Sequence, residues 1–100
     1  MATQHGQISD VKVLRMVEVL KGVSHPLRLR IIIMLCRNDR DVTQMVDALG
    51  VRQSLVSQHL AHLRLTGLVS VDRSGGRATY SLKEPLLRDL VKCLNKCGEK

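Results

Sequence analysis

Apolar positions divide the chain into segments of two different periods. From Val11 to Leu20 they stand at Val11, Val13, Leu14, Met16, Val17, Val19 and Leu20, too many for a single stripe on a helix. Such a helix needs cover on several sides, and in a chain this short a second copy is a natural cover. Ser9 or Asp10 can cap its start, because their side-chain oxygens accept from exposed N–H groups. Gly22 is expected to end it. Ser24-His25-Pro26 opens a second helix, with Pro26 in the first turn, where a missing N–H costs nothing. Leu27, Leu29, Ile31, Ile32, Leu35 and Cys36 fill that helix to about Arg37. Asn38-Asp39-Arg40 reads as a polar break. Asp41 or Thr43 then caps a short third helix with Met45, Val46 and Leu49 on one side and Gly50 as its stop. Residues 51–54 connect to a fourth helix ending near Leu65, with Leu55, Val56, His59, Leu60 and Leu63 inward.

After Gly67 the period changes to alternation. Residues 68–73 and 77–82 read as strands joined by Ser74-Gly75-Gly76, whose paired glycines supply the positive φ of a tight turn. Pro85 to about Cys97 reads as a last helix with Leu86, Leu87, Leu90, Val91 and Leu94 on one broad face. The expected architecture is mainly α with a β-hairpin, in the order α-α-α-α-β-β-α. One domain over residues 10–97 is expected, with a flexible N-terminus at 1–9 and a short tail at 98–100.

Charge narrows the function. The 100 residues carry 16 Lys and Arg against 9 Asp and Glu, a formal net charge of +7. Such an excess favours a polyanionic partner, either nucleic acid or an anionic membrane face. No apolar run approaches the ~18–20 residues of a membrane span. The polar first ten residues lack the regions of a signal peptide. A cytoplasmic protein without a membrane partner is therefore expected. Tyr80 is the only aromatic side chain apart from histidine, so the core must be aliphatic.

Residues 42–65 have the order of a helix-turn-helix, in which the second helix fits the major groove of duplex DNA. Arg52, Gln53, Ser54, Ser57 and Gln58 occupy the outward, N-terminal part of that helix. Gln can bond adenine through two hydrogen bonds, and Ser can reach bases or phosphates. Arg73 and Arg77 bracket the glycine turn, where they suit phosphate contact or entry into a minor groove. The plainer reading of each feature is a solvated face and an ordinary exposed hairpin. Their direct succession, together with the net charge, favours DNA. No Ser-His-Asp pattern and no Gly-rich phosphate loop stands in the chain, so no catalytic residue and no enzyme is expected.

The stretch Ser24-His25-Pro26-Leu27-Arg28-Leu29-Arg30-Ile31 resembles the opening of ArsR/SmtB-type repressors. Residues 53–69, QSLVSQHLAHLRLTGLV, resemble their recognition segment, and Gly76-Arg77-Ala78-Thr79-Tyr80-Ser81-Leu82 resembles the end of their wing. The resemblance covers roughly residues 10–97. It implies a homodimeric winged helix-turn-helix repressor whose first and last helices form the subunit contact. It also implies release from an inverted-repeat operator by a ligand or redox signal. The family's DNA-contacting positions fall on Gln53, Ser54, Ser57 and Gln58, with Arg73 and Arg77 on the wing. His59 is expected to be structural.

The resemblance also bears on sensing. The family's metal-thiolate motif on the third helix falls on Asp41 and Thr43, and its zinc-type site on the last helix falls on Glu84, Leu86, Cys97 and Lys100. Neither donor set is present. Three cysteines remain, Cys36, Cys93 and Cys97, the latter two one turn apart on a helix. They suit a redox or persulfide switch that forms a Cys–Cys link. The alternative is a thiophilic metal or metalloid of the trivalent-arsenic type as cofactor. Members that pair a second-helix with a last-helix cysteine place the former at Ile33, one turn before Cys36. The plainer reading is that Cys36 is buried packing. A ligand-independent regulator or a protein-interaction module is the remaining class.

Overall fold

The computed structural model describes residues 8–97, so residues 1–7 of the flexible N-terminus expected over 1–9, and the tail expected over 98–100, lie outside the described residues. Five helices and three short strands follow in the order α1 (Asp10–Val23), α2 (Pro26–Arg37), β1 (Arg40–Asp41), α3 (Val42–Leu49), α4 (Gln53–Leu65), β2 (Val69–Asp72), β3 (Thr79–Leu82) and α5 (Pro85–Cys97). Ser9 caps α1, its side chain accepting from the Lys12 N–H at 3.1 Å. Gly22 does not end the helix, as its residue type suggested. It is buried in the last turn, where an added Cβ would come within 2.5 Å of Leu68 Cδ1. The glycine serves a close approach of α1 to the start of β2.

The buried side of α2, Ile31, Ile32 and Leu35, meets Met45 of α3, Val56, Leu60 and Leu63 of α4, and Leu87 of α5 in one aliphatic core. Each of these is fully buried. Tyr80 of β3 closes one edge of it. Burial at ~25 cal/mol per Å² makes this cluster the main stabilising contribution.

The polar break after α2 contains a strand. Arg40 and Asp41 pair with Tyr80 and Thr79 of β3, so the sheet has three antiparallel strands in the order β1-β3-β2. A two-residue polar strand has no alternation to detect, and only its partner reveals it. Between β2 and β3, Ser74–Gly76 form a 3-10 turn with Gly75 and Gly76 at φ of 72° and 76°.

Asp41 then caps α3. Its carboxylate accepts the Gln44 N–H at 2.8 Å, while the Gln44 side chain accepts the Asp41 N–H at 2.9 Å. This reciprocal cap fixes the chain where β1 becomes α3. At the other end of the sheet, buried Glu84 accepts the Leu86 N–H at 3.1 Å and pairs with Arg15 of α1. That contact ties α1 to the start of α5. Beyond it α1 turns an uncovered apolar face outward, with Val11 78% and Leu14 66% exposed and Val13, Val17 and Leu20 beside them. Among the described residues no helix is long and apolar enough to cross a membrane.

Asp41→Ala should lower stability by ~0.5–2 kcal/mol through loss of the cap. Asp41→Asn, which caps as well, should recover most of it. Urea midpoints of the two variants check the expectation.

Candidate nucleic-acid interface

Packing of Val56, Leu60 and Leu63 into the core turns the other side of α4 to solvent. Gln53, Ser54, Ser57, Gln58, Ala61 and Arg64 are all exposed along it. Arg52 stands at the N-cap and supplies no side-chain cap, so the first N–H groups of α4 lack a side-chain acceptor. An open helix N-terminus of this kind favours an anion. Arg52 instead donates from Nε to Ser54 Oγ at 3.2 Å, holding its guanidinium along the first turn. The arrangement presents amides, hydroxyls and two arginines on a single exposed ridge.

α3 leads into this ridge through Gly50, whose φ of 69° only glycine adopts readily. The hairpin packs against α4 through β2. Arg73 is exposed at its tip, and Arg77 lies across from the α3 cap, its guanidinium 3.6 Å from the second oxygen of Asp41. The Arg77 side chain is 69% exposed, so this pair contributes little and leaves the guanidinium available. Asp72 accepts the Ser74 N–H at 2.9 Å, and this bond, with the Ser74 hydroxyl, holds its carboxyl below the usual range. The carboxylate thereby shapes the turn that separates the two arginines.

One contact at the site is not legible in the sequence. His59, on the inner flank of α4, lies against His25, the N-cap of α2, with ring centroids 4.3 Å apart and planes tilted by 44°. His25 Nδ1 accepts the Leu27 N–H at 3.0 Å. Burial lowers the His59 pKa, and the charges of His25, Arg28 and His62 lower it further. The residues lie far apart in sequence, and nothing in either segment alone signals the pairing.

Comparison with known proteins gives this geometry its context. Residues 25–71 match the family described as bacterial regulatory protein, arsR family. The chain is 37% identical over 79 residues to the transcriptional repressor PagR of Bacillus anthracis, covering 78% of this chain and 79% of that one. The crystal structure of PagR superposes with a TM-score of 0.78 at 33% identity, over 87% of this chain and all of that one. The chain belongs to the arsR family. The HTH-type transcriptional repressor SmtB of Mycobacterium tuberculosis is 40% identical over 74 residues, 74% of this chain. The match spans little more than half of that relative, 55% of its length. The homodimeric winged helix-turn-helix DNA-binding domain of Mb0332 from Mycobacterium bovis shares 25% identity at a TM-score of 0.72, over 94% of this chain and 90% of that one. The arsR-type fold here is a winged helix-turn-helix, with α4 in the place of the recognition helix and the β2–β3 hairpin as the wing.

The three cysteines are distributed unevenly over this fold. Cys36 is half-buried and lines a recess of about 220 Å³ between α2 and α5, with Ile33, Arg88, Val91 and Asn95 among its walls. Burial pushes its thiol pKa up, and the Arg88 charge offsets this in part. Cys93 is exposed and borders an adjoining depression with Asp89 and Lys96, Lys92 and Asn95 lining both. No second cysteine of the described residues lines the recess of Cys36. Cys97 ends α5, and its side chain lies outside the described residues. Among the described residues no cluster of three or more His, Cys, Asp or Glu side chains suits a metal ion.

A raised pKa leaves less thiolate at neutral pH, and burial limits access. Cys36 should therefore alkylate at least ~10-fold more slowly than Cys93 at pH 7.5. Peptide-resolved mass spectrometry of iodoacetamide labelling checks this.

Proposed function

We propose that this chain is a sequence-specific DNA-binding transcriptional repressor that acts as a homodimer in the cytoplasm. The observation that carries the reading is the exposed face of Gln53, Ser54, Ser57 and Gln58, held beside a wing bearing Arg73 and Arg77. On this reading the amides and hydroxyls of α4 meet base edges in the major groove. Arg52, Arg73 and Arg77 neutralise phosphates and set the register. The face has too little apolar surface for a protein-binding groove, which favours DNA over a protein partner.

The homodimer rests on the apolar face of α1, with Leu94 of α5 also uncovered at 41% exposure. An apolar helix face of this extent calls for cover, and a second copy supplies an identical one. Two recognition helices then stand ~34–36 Å apart, one turn of DNA, which calls for an inverted repeat.

The signal is thiol-directed on this reading. Of the two described thiols, exposed Cys93 is the one open to attack, on the helix that carries Leu94. A two-electron oxidant such as peroxide takes two thiol protons and an electron pair to form a disulfide. With a polysulfide, one thiolate attacks a sulfur–sulfur bond and displaces a shorter polysulfide to leave a persulfide chain. A second thiol attacks that chain and displaces hydrogen sulfide, so that the two groups are joined through additional sulfur. Either link strains α5 and the subunit contact, and with it the spacing of the two recognition helices. The soft-metal alternative draws on the same thiols, and no donor cluster of the described residues favours it.

Two variants separate the DNA roles. Arg77→Ala should weaken binding alike on all sequences and reduce the slope of log K against log salt by about one. Gln58→Ala should cost ~1–3 kcal/mol on the preferred site and relax the preference at one base. Fluorescence anisotropy on a duplex selected from a random pool, with a salt series, measures both; equal affinity of wild type and Gln58→Ala for that duplex removes Gln58 from base recognition.

Treating the complex with peroxide, polysulfide, arsenite or zinc tests the signal. Release by peroxide or polysulfide that vanishes in Cys93→Ser is the expected result. Unchanged release from a protein with all three cysteines replaced by serine excludes thiol sensing.

A further inference from the structure

The His25–His59 contact joins the start of α2 to the recognition helix, and its chemistry depends on protonation. His25 Nδ1 can accept the Leu27 N–H only while that nitrogen carries no proton. A protonated His25 therefore gives up its cap on α2. It also places a cation against the His59 ring, at a centroid distance of 4.3 Å.

His25 is exposed, but the charged groups that act on His59 are all basic. Arg28 of α2 acts on His59 as a fixed positive charge, and its Nη1 is committed to the Gly22 carbonyl at 3.0 Å. The Arg28 Nε is buried without a partner. From its own helix His59 feels His62, also a base. The charged groups of α1 near this region, Arg15, Glu18 and Lys21, line a recess with His62. Glu18 is there engaged by Lys21 at 3.5 Å. No carboxylate is among the groups that act on His59.

We infer that His25 and His59 form an uncharged positioning pair for the recognition helix, and that proton uptake by the pair loosens α4 and weakens sequence-specific DNA binding at mildly acidic pH. The inference deepens the proposed DNA-binding function and rests on it. His25 and His59 are positioning residues, acting through α4 rather than on DNA.

The sign follows from linkage. An ordinary histidine titrates near pH 6.5, and the depressed pKa of His59 means that the packed state binds fewer protons than a loosened one. The contribution of His59 is complete above about pH 6.5 and declines as pH falls below it towards the depressed value. General electrostatics predict the opposite trend, since added positive charge strengthens attraction to phosphate. Weakening on acidification is therefore diagnostic.

The test uses the intact protein and a duplex selected from a random pool at pH 8. Affinities for that duplex and for a scrambled one are measured from pH 8 to 5.5 at constant ionic strength, with circular dichroism confirming the fold throughout. The ratio of the two affinities should fall between pH 7.5 and 5.5, by more than about threefold and by no more than about tenfold, the limit that one linked proton sets over this window. His25→Asn keeps a cap that cannot titrate, and His59→Gln removes the other ring; either variant should flatten the profile to less than about threefold. A wild-type ratio that is constant or rises on acidification overturns the inference while leaving the DNA-binding reading in place. So do variants that follow the wild-type profile. A protein that selects no duplex at pH 8 overturns both.

Discussion

The burial of one side of α4 is the constraint from which the rest of the structure takes its meaning. Val56, Leu60 and Leu63 are fully buried with Ile31, Ile32 and Leu35 of α2 and Met45 of α3. With no Phe or Trp in the chain, this aliphatic packing must position every other element. Because the helical repeat is 3.6 residues, burying positions 56, 60 and 63 turns 54, 57, 58 and 61 outward, whereas Gln53, seven residues before Leu60, is exposed as the first residue of the helix. The polar ridge is thus a consequence of the core. A change in core volume beneath α4 would be felt at Gln58, although no core residue reaches the surface there.

What the sequence discloses and what it conceals follow from the range of the interactions. Helical faces are written in local spacing, so the inward set of α4 and the outward placement of Gln53, Ser54, Ser57 and Gln58 are legible in the residue order alone. The glycine turn at 74–76 is legible for the same reason. Gly22 is ambiguous, because a glycine near a helix end suits both a stop and a close approach. Only the position of Leu68 decides between them. Strand β1 is hidden because two polar residues have no period, and their identity as a strand lies wholly in Tyr80 and Thr79. The cysteines are the least legible. Their number and spacing suggest a shared site, whereas their surroundings differ: Cys36 sits in the recess between α2 and α5, and Cys93 lies in the open.

Among the described residues, long-range contacts of polar side chains lie at the joints. Arg15 with Glu84 ties the outward-facing α1 to the start of α5. Arg88 donates to the Cys36 carbonyl at 3.0 Å, tying α5 to the end of α2. His25 with His59 ties the start of α2 to α4. Each connects elements that the aliphatic core alone would hold only through non-directional packing. Directional contacts at joints give a small domain a defined geometry between the helices that would meet a partner subunit and the helix that would meet DNA. Chemistry at α5, whether on a thiol or on the subunit contact, therefore has a short route into the core.

Asp41 shows how much one side chain can coordinate. It is the last residue of β1, the cap of α3 and the ion-pair partner of Arg77 on the wing. Its two oxygens divide these roles: Oδ1 holds the α3 N–H of Gln44, and Oδ2 faces the guanidinium. The cap is short and specific, while the ion pair is long and largely solvated, so the first fixes the structure and the second only biases Arg77. On the proposed reading, a phosphate arriving beside the wing competes with Oδ2 for Arg77 at little cost, because an exposed pair is worth ~0–1 kcal/mol. The same aspartate that locks the helix-turn-helix to the sheet thus keeps the wing arginine near the position where DNA would claim it. A restraint this weak leaves most of the ordering of that long side chain to the moment of binding, at an entropic cost of up to ~1.5–2 kcal/mol.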